Sequence, residues 1–338
     1  MKKLEWPARF AARGSILLRK FPKLRLMVAG DLVADEILYG DTERISREAP
    51  ILILRYDRTE LVPGGAGNAA NNGAELGAQA VPLGVVGDDP AGQELLRYFR
   101  MKKVDLSGVL ALKNRPTTVK TRILAGAHHT AKQQVLRIDR FEDKEISRAV
   151  ESKLIGRVTA LAPKCDALLI ADYGLGVLTE GLRRSLLSAF AGKTVTVDSR
   201  YHLADYRGAT LLTPNLSEAG PAAGVEIHDG ESLARAGDML RKKMDCRVLI
   251  TRGPQGMSLF DLDGAVTHLP VFGMDQPVDP TGAGDTVAVT ATLALAAGAD
   301  LPLAGALSSV AAGLAVAKRG TATVTVAEIL QALRGSQG

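Results

Sequence analysis

The residues with the clearest chemical potential lie late in the chain, in Asp279-Pro280-Thr281-Gly282-Ala283-Gly284-Asp285-Thr286. Two glycines let the backbone come close to a ligand and turn its N–H groups in one direction. An apolar, small-residue run follows at once, Val287 to Ala297, and predicts a buried helix. The positive end of that helix then lies over whatever the turn holds, so the turn is a cradle for an anion. Asp285 is the odd member, because a carboxylate repels phosphate. Its position makes sense if it takes a proton from a hydroxyl that attacks the phosphorus. The competing account is an ordinary helix start with an acid in its first turn, where acids are favoured.

Other polar residues fall at the ends of predicted strands. Leu24 to Ala29 is a short apolar strand ending in Gly30-Asp31, which aims an acid into the crevice where α/β sheets bind ligands, unless the pair merely forms a turn. Pro63-Gly64-Gly65-Ala66-Gly67-Asn68 opens a helix rich in Ala and Asn. Gly65-x-Gly67-x-x-Ala70 formally satisfies a dinucleotide fingerprint, but it does not lie in a first βα turn. A sugar-facing turn, with Asn68 on hydroxyls, fits better. Asn215-Leu216-Ser217-Glu218 puts an acid one turn into a helix, where Glu218 either holds water on Mg²⁺ or closes a capping box. Thr251-Arg252-Gly253-Pro254-Gln255-Gly256 is a strand end and tight turn whose N–H groups could touch phosphates.

The elements that must position these groups alternate in two ways. From residue 145 the pattern is βαβ, with strands at 167–171, 194–197, 210–213 and 247–250 ending in Asp172, Asp198, Asn215 and Thr251. Polar groups thus gather at one edge of a parallel sheet. Residues 37–62 and 117–139 instead alternate as strands without crossover helices and predict a small β layer, a lid. Alternation puts Lys120 and Arg122 on one face of it. His128 and His129, at the hairpin tip, read as solvent-exposed.

Bulk properties narrow the function. A 338-residue chain with 46% hydrophobic and 23% charged residues can bury a large core and is globular. Cys165 and Cys246 stand apart, without disulfide or zinc spacing, so a reducing cytoplasm is the default. The net charge of +5 is dispersed and has no aromatic ladder, which argues against nucleic acid. The basic cluster within residues 1–25 reads as a solvated N-terminal helix, with membrane-surface attachment as the alternative, outside the domain that starts at residue 24. No apolar run is long enough to span a bilayer.

Gly64-Gly65-Ala66-Gly67-Asn68 and the octapeptide at 279–286 resemble the N- and C-terminal signatures of the ribokinase-like (PfkB) carbohydrate kinases, over roughly residues 24–334. The resemblance implies an α/β protein of the ribokinase-like three-layer α/β/α type, with a mostly parallel central sheet and a strand lid. It implies ATP and Mg²⁺ as cofactors, with a potassium ion beside Asp279 and Thr281, and a homodimer through the lid. Asp285 would be the base, and the N–H groups of Gly282, Ala283 and Gly284 would stabilise the transferred phosphoryl. Asp31, Gly64, Gly65 and Asn68 would hold sugar hydroxyls; Asn215, Thr251, Gly253 and Gly256 the nucleotide; and Glu218 with Asn215 Mg²⁺ through water.

Within the family, Arg44-Ile45-Ser46-Arg47-Glu48-Ala49-Pro50, the stretch 133–139 and above all 206–218 are most similar to the kinase domains of bacterial heptose 7-phosphate kinase/ADP-heptose synthases. This implies phosphorylation of the anomeric hydroxyl of D-glycero-D-manno-heptose 7-phosphate, for lipopolysaccharide precursors. A phosphorylated sugar needs a cationic grip, for which Lys120, Arg122, Arg137 and Arg200 are the candidates, or else they are solvated charges. Three departures stand out: no nucleotidyltransferase domain is expected before Gly338, Asp198-Ser199-Arg200 replaces Asp-Pro-Lys, and the tip 126–132 is longer. The alternatives are a kinase for ribose, fructose phosphate or a nucleoside, a silent sensor with the same fold, and a nucleic-acid binder.

Overall fold

The computed structural model describes residues 6–127, 132–273, 278–318 and 320–335, with side chains given from Phe10 onward. Helix α1 (Trp6–Leu18) leads into strand β1 (Arg25–Gly30) and then a long hairpin, β2 (Leu32–Ile45) and β3 (Leu52–Gly65). Helix α2 (Ala66–Glu75), β4 (Gln79–Gly87), α3 (Pro90–Met101) and β5 (Gly108–Leu112) follow, and then a second hairpin, β6 (Thr118–Gly126) and β7 (Gln133–Arg140). The next run alternates: α4 (Arg148–Leu161), β8 (Ala167–Asp172), α5 (Glu180–Ala189), β9 (Thr194–Ser199), β10 (Leu211–Leu212) and α6 (Leu216–Ala223). It continues with α7 (Gly230–Met244), β11 (Arg247–Thr251), β12 (Met257–Phe260) and β13 (Val266–Leu269), and closes with α8 (Ala283–Ala296), α9 (Leu301–Val316) and α10 (Val326–Gly335).

Among the described residues one sheet has the order β13-β12-β11-β10-β9-β8-β1-β4-β5, parallel from β11 to β5 with β12 and β13 antiparallel at one edge. Its strands are apolar on both faces because helices cover both. In β1, Leu26 and Val28 face α2, α8 and α9, while Met27 and Ala29 face α4 and α5. The result is three layers, α/β/α. A second sheet, β3-β2-β6-β7, stands apart from it. Its strands mix exposed polar residues with exposed Ile45, Leu52, Tyr56, Val135, Leu136 and Ile138, and β7 is exposed along its whole length. Alternating sequence without crossover helices therefore did mark a separate layer, although β2 and β3 begin and end nearer the body than the predicted 37–62.

The predicted solvated N-terminal helix is corrected. One face of α1 enters the main core: Ala11, Leu17 and Leu18 are buried with Leu303 and Leu307 of α9 and Ile329 and Leu333 of α10. Arg13 faces outward and reaches Asp300 at 2.9 Å. The sequence reading saw the charges and overlooked the apolar stripe between them. Strands β5 and β13, short and at the sheet edges, were also unanticipated. Residues 128–131, including His128 and His129 at the hairpin tip, lie outside the described residues. Among the described residues no helix is long and apolar enough to cross a membrane.

Candidate functional site

Helix α8 starts without a side-chain cap. Gly282 at its N-cap has φ +80°, and a Cβ there would come within 2.8 Å of Asn68 Nδ2, so both conformation and space require glycine. The Ala283 N–H donates to Pro280 O at 3.2 Å, so it is already engaged. This corrects the expectation that Gly282, Ala283 and Gly284 all point free donors at a ligand. Among the described residues the N–H groups of Gly284 and Asp285 find no acceptor, and they lie at the positive end of a 14-residue helix.

Asp285 is 7% exposed and is gripped on both oxygens. Asn68 Nδ2 donates to Oδ2 at 2.6 Å and the Tyr173 hydroxyl donates to Oδ1 at 2.8 Å. Burial pushes its carboxyl up to about 6; the Asn68 and Tyr173 hydrogen bonds oppose the rise, and the nearby Asp35 charge adds to it. Asn68 therefore spends its amide on Asp285, where the sequence suggested sugar hydroxyls. The Asn-rich helix α2 has the same use further along: Asn72 Nδ2 donates to Asn68 O at 2.9 Å, and Thr286 Oγ1 donates to Asn72 Oδ1 at 3.0 Å. These buried pairs lock α2 to α8.

Asp31, at the end of β1, accepts Tyr173 N–H at 2.9 Å and Leu175 N–H at 3.2 Å, both on Oδ2. Its Oδ1 is buried without a partner among the described residues, and burial raises its carboxyl to about 6 despite those N–H groups. Gly65 has φ +55°, and a Cβ there would collide with Asp31 O at 2.6 Å; Gly64 leaves room for the Asp35 carboxylate, 2.6 Å from where a Cβ would lie. Both glycines shape the backbone around the two acids.

Two cavities meet at this helix start. The polar one, about 730 Å³, is lined by Asp172, Tyr173, Asp198, Arg200, Glu218 and Asp285 among others, and by Gly282 and Gly284. The second, about 650 Å³, has apolar walls including Val271, Val287, Ala312 and Val316, with Gly253, Gly256 and Ala283. Asn215, Ser217, Thr251 and Gly284 border both, so they form one continuous cleft. Gly256 has φ +81° and a Cβ there would strike Leu269 O, so its turn is a structural need as well as a cavity wall.

Asn215 and Glu218 form a full capping box: Asn215 Oδ1 accepts Glu218 N–H at 3.1 Å, and Glu218 Oε2 accepts Asn215 N–H at 2.9 Å. Thus Asn215 Oδ1 is a helix cap, contrary to its expected part in holding Mg²⁺. Burial raises the Glu218 carboxyl, against the pull of Asn215 and Arg200. Asp198 is driven well above the usual carboxylate range by burial and then by Asp285, Glu218 and Asp172. Asp279 accepts Thr281 N–H at 2.9 Å and Gly320 N–H at 3.0 Å, one on each oxygen, so it braces the loop before α8.

The four expected phosphate-gripping cations do not form one group. Asp35 and Lys120 are register neighbours on β2 and β6, and Lys120 and Asp139 on β6 and β7. Arg122 binds Asp35 at 2.5 Å. Arg137 lies opposite Arg122 but pairs with Asp139 at 2.9 Å. Burial lowers the Lys120 ammonium, with Asp139 opposing. Arg200 instead lines the polar cavity together with Lys243. The sequence reading missed Tyr173, Lys243 and the apolar wall. Tyr173 had a signal: it directly follows a strand-end aspartate and precedes two turn glycines.

Residues 23–328 match the pfkB family carbohydrate kinases. The chain is 44% identical over 319 residues to the bifunctional protein HldE of Geobacter metallireducens, covering 93% of this chain and 63% of that protein. It is 42% identical over 320 residues to HldE of Geobacter sulfurreducens, covering 93% and 64%. The chain thus spans just under two thirds of the length of these relatives. Its fold is that of Arabidopsis thaliana ribokinase complexed with ribose and ATP (TM-score 0.70, 18% identity, 92% of this chain and 99% of that one). It is also that of Escherichia coli phosphofructokinase-2 in complex with potassium (TM-score 0.73, 19% identity, 93% and 99%).

Proposed function

The chain belongs to the pfkB family of carbohydrate kinases, and from that premise we propose that it moves the γ-phosphoryl group of ATP to the anomeric hydroxyl of D-glycero-D-manno-heptose 7-phosphate. The observation that carries the kinase chemistry is Asp285, buried beside unpaired N–H groups at the positive end of α8, where a polar and an apolar cavity join. The heptose is supported by the stretch 206–218 and by similarity to HldE proteins over nearly the whole chain. We read residues 24–334 as the kinase domain, with α1 packed onto it.

Asp285 accepts the proton of the attacking hydroxyl. Burial at about 6 keeps it ionised at neutral pH yet basic enough to take that proton. The N–H groups of Gly284 and Asp285, with the helix dipole, stabilise charge on the transferred group. Asp31 Oδ1, without a partner among the described residues, accepts a sugar hydroxyl, and Gly64 and Gly65 make room for Asp35 and for the backbone of Asp31 behind it. The apolar cavity takes the base of the nucleotide and the Thr251–Gly256 turn its phosphates; Arg200 is assigned to that phosphate chain because it shares a cavity wall with Thr251. Lys120, Arg122 and Arg137 on the lid grip the 7-phosphate.

The donor set fits Mg²⁺ held mainly through water and phosphate. Glu218 and Asp198 are carboxyls of the cavity that burial biases toward the neutral form, a bias a bound cation would offset, while among the described residues no three His, Cys, Asp or Glu converge as direct ligands. When bound, Mg²⁺ neutralises charge on the nucleotide phosphates. A potassium ion would sit by the loop that Asp279 braces; replacing potassium with choline chloride in the assay tests it. Two copies pair through the lid, whose strand β7 exposes Val135, Leu136 and Ile138.

A coupled ADP-release assay over D-glycero-D-manno-heptose 7-phosphate, sedoheptulose 7-phosphate, fructose phosphates, ribose and adenosine tests the substrate, with Asp285→Asn as control. Turnover confined to the heptose 7-phosphate and lost in the control is the expected result. Turnover of another sugar alone would overturn the heptose and keep the kinase.

A further inference from the structure

We propose that Tyr173 is the positioning residue for the base: its hydroxyl holds Asp285 Oδ1 while its backbone holds Asp31, so one residue sets both acids of the site. The inference rests on the reading of Asp285 as the base. Its geometry is specific. The Tyr173 O–H donates to Asp285 at 2.8 Å and its N–H donates to Asp31 at 2.9 Å. The ring lies against Gly65, whose Cβ would be 3.5 Å from its Cδ2, so the chain leaves a slot for it. The loop that carries it is fixed in turn, because Arg115 donates to Leu175 O, Glu142 O and Lys144 O.

A carboxylate that must collect a proton from one hydroxyl has two oxygens and several rotamers, and a buried one tends to stay protonated. With Asn68 on Oδ2 and Tyr173 on Oδ1, the carboxylate plane is fixed and each oxygen keeps a second lone pair for the substrate. Both donors favour the anion. Of the ionisable groups near Asp285, the Asp35 charge from β2 favours its protonated form, Asp198 from β9 is itself driven up by burial and then by Asp285, and Glu218 from α6 lies on the same cavity; Arg122 pairs with Asp35 and Arg200 offsets Glu218. Tyr173 therefore opposes burial and the Asp35 charge. Its phenol keeps its own proton, since burial and then Asp285 push it well above 10.

The test is Tyr173→Phe, compared with the parent over pH 5 to 9 in the ADP-release assay, with MgATP affinity and melting temperature measured alongside. Loss of one hydrogen bond to a charged group should move the acid limb of kcat/KM upward by about one pH unit. It should lower kcat at pH 6.5 by roughly threefold and restore nearly all of it at pH 8.5, with the KM for MgATP unchanged. A uniform loss across pH, with the limb unmoved, would mean that the ring only packs, and would overturn the proposal. Site-specific 3,5-difluorotyrosine at 173 is the second variant, needed should the phenylalanine protein not fold. A stronger donor should move the limb down, and no movement overturns the proposal equally. If Asp285→Asn keeps its turnover, the base reading fails on its own, whatever Tyr173→Phe shows.

Discussion

Asp285 stands where a carboxylate is unstable, and as the proposed base it would draw its reactivity from that instability. Its folded pKa of about 6 lies above the ordinary 3.8, so the native state holds its proton more tightly than the unfolded chain does. Its contribution is therefore fully favourable below pH 4 and is lost as pH rises through 6, a cost of about 3 kcal/mol at pH 8. Asp285→Asn removes that charge while keeping the shape. It should melt higher than the parent at pH 8, with the gap closing toward pH 5 by calorimetry, while kcat falls roughly 10²–10⁴-fold. In the parent, kcat/KM should rise through about pH 6, as this one group ionises. Asp31 behaves alike in sign, but an alanine there would also free the backbone of residues 173–175.

Elements decide what the lid cations and the α6 cap can do. Arg122 and Asp35 form a mostly buried pair, with side chains 20% and 8% exposed. Arg122→Ala leaves the aspartate alone in that environment and should cost about 3 kcal/mol in urea unfolding as well as raising the KM for the phosphorylated sugar. Arg137, half exposed beside Asp139, should cost under about 1 kcal/mol when changed to alanine, so a raised KM there would be free of stability effects. At α6 the cap and the metal reading part company in one substitution. Glu218→Gln can still accept Asn215 N–H, so thermal stability should hold within about 1 kcal/mol. The Mg²⁺ concentration for half-maximal rate should nonetheless rise several-fold. An unchanged Mg²⁺ requirement would reduce Glu218 to its cap.

At the scale of the whole molecule, the cleft is lined by the three-layer body, while the second sheet ends in one fully exposed edge strand. If two copies cover that sheet, light scattering should give the mass of two chains, and Leu136→Arg should reduce it to one. Much of this was legible in sequence. Period-two alternation without crossover helices predicted the lid, βαβ alternation the parallel sheet, and two glycine-rich turns the helix starts, because each is a local consequence of residue type and spacing. Asp285 stood out for the same reason, as an acid where an anion belongs. What the sequence alone could not supply was who meets whom across the fold. Asn68 and Asp285 are 217 positions apart, and Tyr173 and Asp285 are 112. Arg200 lines the polar cavity while the lid arginines lie on the second sheet, and the apolar stripe of α1 matters only once α9 and α10 lie beneath it. Side-chain partners and burial are set by packing between distant elements, so the chemistry of the site was written in the residues and its tuning was decided by the tertiary structure.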